Sequence, residues 1–198
     1  PDHPRMDRFA AIMASTGAMV FAPFIPDLIA MRFHPHMNSD VQRAFKAVLA
    51  YTLRPAGRVG VISISFGSLP SLRLAAHEKF AHHIQGLMTF GGFLDWRVAL
   101  RFCLKGQDEL SHDPLNRPLI FAHLLPTLPK VPAPGEVKNA WHAYIRQTWG
   151  QTKMMESHAA RREVAESLCM ALDDESRELF LQGCDLRPGG IPLAYSAL

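Results

Sequence analysis

The chain is short of cysteine, of long apolar runs and of clustered charge, and each shortage excludes a class of protein. Three cysteines, Cys103, Cys169 and Cys184, lie scattered along 198 residues. An odd, dispersed set makes no disulfide frame, and it points to a reducing compartment, so a cytoplasmic location is expected. No CxxC pair and no Cys/His ligand spacing occurs, so a structural zinc is not expected, and nothing else in the chain implies a metal or cofactor. No apolar stretch approaches the ~18–20 residues that a membrane-spanning helix needs. The 21 basic and 18 acidic residues leave a net charge of only +3, with no basic block, so no nucleic-acid footprint is visible. The opening PDHPRMDRF is no signal peptide. Its first residue is not Met, so the chain is expected to begin inside a longer gene product.

What is present suits a globular protein. A hydrophobic content of 48% over this length is enough to bury a core. Residues 5–15 space Met6, Phe9, Ala10 and Met13 as a helix, and Thr16-Gly17 ends it. Ala18 to Phe24, AMVFAPF, has the composition of a strand, with Pro23 near its end. A Pro-containing loop follows, and then a helix with Val41, Ala44, Phe45, Val48 and Leu49 on one face, stopped by Arg54-Pro55-Ala56-Gly57. Val59, Val61, Ile62 and Ile64 form a β-branched run typical of a buried parallel strand. Ile84 to Phe90 reads as a third strand, ended by Gly91-Gly92, and Phe93 to Leu104 as a helix.

This alternation of helix and strand predicts an α/β fold: a parallel sheet in a three-layer αβα arrangement over residues 1–105. Residues 106–198 carry helical patterns and many prolines, and they predict a mostly helical cap or lid. Trp141, Tyr144 and Trp149 fit a helix packing face, Met154, Met155 and Met170 fit core or lid filler, and Arg161-Arg162-Glu163 fits a solvated helix face.

The stretch with chemical content is Arg58 to His77, RVGVISISFGSLPSLRLAAH. A strand breaks at Ser65-Phe66-Gly67-Ser68 and continues as a helix. A serine in such a turn has its Oγ lifted clear of the sheet, and the helix behind it aims backbone N–H groups at a developing oxyanion. The competing reading is a serine that merely caps the helix.

Here the chain resembles the α/β-hydrolase superfamily. VISISFGSLPSLRLAA is similar to that family's G-x-S-x-G-G strand, elbow and helix. VFAPFIPDL is similar to its preceding strand and loop, and MTFGGFLD to the strand that follows. The resemblance spans about residues 5–104. It implies that Ser65 is the nucleophile, that the Phe66 N–H is one oxyanion donor, and that Asp95 stands where some members carry the triad acid. Asp95 also suits the N-terminus of the helix after it. The departures are Ser63 for the first glycine and Ser68 for the second. The family's other oxyanion strand would lie before Pro1, no histidine follows His158, and none of the ten histidines is singled out as the base.

Two functions follow. One is a serine hydrolase, or acyl transferase, acting on an ester, thioester or amide through an acyl-enzyme on Ser65, its small-molecule substrate carrying a lipophilic acyl or aromatic group. The other is a non-catalytic binding or assembly protein, or an inactive fragment that lacks the triad His and acid.

Overall fold

The computed structural model describes residues 4–30, 36–51, 59–106, 113–128 and 131–198. Helix α1 runs Pro4–Ser15, a short α2 Pro26–Ile29, and α3 Met37–Ala50. Strand β1, Val59–Ile64, leads through a 3-10 turn at Ser65–Gly67 into α4, Ser68–Ala75. A four-residue α5, Glu78–Ala81, precedes β2, Ile84–Phe90. The two strands pair in parallel, Ile62 opposite Met88 and Ile64 opposite Phe90. Among the described residues seven α-helices follow: α6 Trp96–Lys105, α7 Asn116–Leu124, α8 Pro134–Thr148, α9 Thr152–Glu156, α10 His158–Cys169, α11 Asp174–Gly183 and α12 Gly190–Ser196.

This architecture corrects the expected three-layer αβα core. Among the described residues helix accounts for 66%, against one two-stranded sheet, so the protein is mostly helical. The first expected strand, residues 18–24, is where the expectation fails. Residues 18–24 have no regular secondary structure, and Met19, Val20, Phe21 and Phe24 are exposed. A β-branched run shows that a segment would suit a sheet, but a strand exists only where a neighbour supplies the ladder. The second failure is the missing layer. Parallel sheets are ordinarily covered on both faces. Here Ile62, Ile64, Met88 and Phe90, which share one face, are all exposed.

The chain divides into two compact units, Pro1–Leu94 and Asp95–Leu198, so the division falls ahead of the expected boundary at Gly106. The core of the first is a small cluster of Phe45, Leu74 and Phe80, with Val59, Val61 and Ile84 against it. The covered face of the sheet thus packs on α3, α4 and α5. The stop expected at Arg54–Gly57 lies outside the described residues.

The second unit is built from helices around Trp141, Tyr144, Phe121 and Phe180, all fully buried. Trp141 Nε1 donates to the Phe180 carbonyl at 3.1 Å. A Cβ on Gly183 would come within 2.6 Å of that indole nitrogen, so α11 approaches α8 closely only because residue 183 is glycine. Two expectations about this half are corrected. Arg161 is 7% exposed, not solvated, and its guanidinium donates to the Met154 and Met155 carbonyls at the end of α9. Met155 and Met170 are exposed, not core filler. Buried Arg117 donates to the Leu104 carbonyl at 2.7 Å and forms an ion pair with Asp185. Burial lowers the Arg117 pKa from its ordinary value, and the Asp185 carboxylate opposes that shift.

Candidate functional site

The turn after β1 holds a serine in the left-handed region. Ser65 has φ +52°, and apart from Asp185 it is the one non-glycine residue in the left-handed region among the described residues. That conformation costs an L-residue about 1–2 kcal/mol. The residues on either side explain why the chain accepts it. Ser63, two residues earlier, points into the covered face with Val61, while Phe66, one residue later, is buried. Between them the chain must leave the strand and enter α4 within a few residues. Ser65 itself remains exposed, and its Oγ makes no hydrogen bond among the described residues.

The loop leaving β2 supports the turn. The Phe66 ring meets Phe93 edge to face at 5.6 Å. The Phe93 N–H donates to Ser68 Oγ at 3.2 Å, and Ser68 is fully buried. A Cβ on Gly92 would lie 2.8 Å from Ser68 Cβ and 3.1 Å from Thr89 Cβ. Gly92 is therefore the glycine the site depends on sterically. Gly67 is not, since a Cβ there would rest 3.7 Å from Ser63 Cβ, an ordinary contact. The repeated Gly91-Gly92 was visible in the sequence as punctuation, and nothing in one sequence told which glycine faces a close approach.

Asp95 opens α6. Its Oδ1 accepts from the Arg97 N–H at 2.8 Å and the Val98 N–H at 3.2 Å, a helix N-cap. Its carboxylate is thus engaged in the capping role the sequence offered as the alternative to an acid of a triad. The histidines separate. His34 and His112 lie outside the described residues. His77 caps α5, its Nδ1 accepting from the Lys79 N–H. His82 and His83 sit just before β2, at the strand end opposite the turn. His123, in the second unit, has Nδ1 2.8 Å from the Leu119 carbonyl.

An open cleft of about 510 Å³ lies in the first unit among Phe24, Asp27, His36, Asp40 and Arg43. Asp40 and Arg43 pair across one turn of α3. The cleft collects an imidazole and two carboxylates, groups able to carry protons, and Ser65 does not line it.

Among the described residues no group of three His, Cys, Asp or Glu side chains could hold a metal ion. No helix among them is long and apolar enough to cross a membrane. Cys103 and Cys184 are shielded thiols. Burial, with Asp113 adding to it, pushes Cys103 up to about 11, and burial pushes Cys184 well above its ordinary value. Comparison with protein-family models, with curated proteins and with solved structures finds no match.

Proposed function

We propose that Ser65 is the nucleophile of a serine hydrolase or acyl transferase acting on an ester, thioester or amide. The observation that carries this reading is the backbone of Ser65: an exposed serine at φ +52° between a parallel strand and a helix. Non-glycine residues in the left-handed region cluster at active sites, ligand clamps and switch regions. The Oγ would attack the acyl carbon and give its proton to a base. The tetrahedral oxyanion would form beside the Phe66 amide, the leaving group would depart with a proton, and water or another acceptor would release the acyl group.

A fluorophosphonate probe tests this. Its phosphorus is attacked by a reactive serine Oγ and loses fluoride. The intact chain is expected to be labelled and Ser65→Ala to remain unlabelled. An unlabelled intact chain, or equal labelling of both, overturns the reading.

One observation favours a second reading, a non-catalytic binding or assembly protein. The face carrying Ile62, Ile64, Met88 and Phe90 is apolar and exposed, and contiguous apolar surface of this kind marks interaction sites. That reading expects no labelling at all.

A further inference from the structure

Ser68 has a place in the first unit that neither the strand nor the helix requires of it. It is the first residue of α4 and 0% exposed, yet it caps nothing in its own helix. Its Oγ instead accepts from the Phe93 N–H, a bond between residues 25 apart. Two further contacts converge on the same spot. Phe93 places its ring against Phe66, and Gly92 brings its backbone so close that a Cβ there would fall 2.8 Å from Ser68 Cβ. The segment 66–68 is thereby clasped to 92–93 by a hydrogen bond, a ring pair and a backbone contact. Ser65 is the next residue back along the chain, and its φ of +52° is a conformation that persists only when the surroundings over-determine it.

From this we infer that Ser68 is a positioning residue, holding the turn in the conformation that presents Ser65. The inference rests on the reading of Ser65 as a nucleophile and adds a residue that acts on it without touching substrate. Without the Ser68 hydroxyl, the clasp loses its hydrogen bond and holds the turn less firmly at positive φ. The Ser65 Oγ then spends less time where it can attack. Rates respond steeply to displacements of this kind, because a nucleophile about 1 Å out of place can lose about a hundredfold.

Two measurements on the intact chain, Ser68→Ala and Gly92→Ala test this. The first is fluorophosphonate labelling over a range of probe concentration, which separates the maximal labelling rate from the half-saturating concentration. Both variants are expected to lower the maximal rate about tenfold and leave half-saturation within about twofold. The second is amide hydrogen exchange. In both variants exchange at residues 65–68 is expected to rise about tenfold, while the amides of Leu74 to Phe80 keep their protection. Wild-type labelling rates in Ser68→Ala overturn the positioning role and leave the proposed function standing. If the intact chain is never labelled, the proposed function fails, and exchange alone judges the clasp: a local rise supports it and an unchanged turn overturns it. A rise spread evenly over the unit makes Ser68 an ordinary core residue and also overturns the inference.

Discussion

Ser63 carries a hydroxyl that agrees poorly with its surroundings. It is 9% exposed, and its Oγ has no hydrogen-bond partner among the described residues. A buried hydroxyl without a partner costs free energy that its removal restores. Ser63→Ala is therefore expected to stabilise the protein by about 1 kcal/mol in urea denaturation, and a loss of stability would show that the hydroxyl has a partner after all. The contrast with Ser68 is instructive. Both serines are small and buried beside the turn, but one has an acceptor role and the other none. A single sequence distinguishes neither. It placed Ser65 at the break between an apolar run and a helix, since that break is written in residue types. The hydroxyl partners and the close approach at Gly92 depend on a loop 25 residues away. Arg161 was misread for a similar reason. Beside Arg162 and Glu163 it reads as a solvated charge, and its burial comes from two carbonyls that only folding brings within reach.

The elements that were legible are those whose signal is local. β1, the turn, α4 and β2 stand where a β-branched run and its Gly or Ser punctuation put them, within a residue or two. The segment 18–24 had equally apolar residues and forms no strand, because pairing is a property of two segments. Helix α6 starts at Trp96 rather than at Phe93, and Asp95, read as suited to that N-terminus, caps it. Asp95→Ala is expected to cost about 1 kcal/mol by removing the acceptor for the Arg97 and Val98 N–H groups, with Asp95→Asn nearly neutral. Chemical denaturation followed by far-UV circular dichroism checks both. Asp173 caps α11 in the same way, its Oδ1 accepting from the Ser176 N–H at 2.9 Å. That hydrogen bond holds the Asp173 carboxyl below its ordinary value of 3.8. The folded state thus releases this proton more readily than the unfolded chain. Its contribution is complete above the unfolded pKa and is lost as pH falls through the lower folded value. Asp173→Asn is expected to flatten the fall in stability below pH ~4. An acid limb identical to wild type in stability against pH contradicts this.

On the scale of the whole molecule, the first unit has the smaller core and the more unusual surface. Its covered sheet face is served by three buried side chains and their neighbours, while the other face presents Ile62, Ile64, Met88 and Phe90 to solvent. Replacing Ile64 and Phe90 together by Thr is expected to change unfolding free energy by less than about 0.5 kcal/mol per site, as for exposed positions. The same change is expected to reduce the fluorescence of a bound apolar dye such as ANS. A loss well beyond that in stability would mean that the face is covered in solution.

The central claim is that the strained turn presents Ser65 as a nucleophile. Its most direct test is peptide mapping after fluorophosphonate treatment of the intact chain, because the peptide spanning 59–73 contains Ser63, Ser65, Ser68 and Ser71. One phosphonyl group on Ser65, absent from Ser65→Ala, is the predicted result. No adduct, or an adduct on another serine that survives Ser65→Ala, contradicts it.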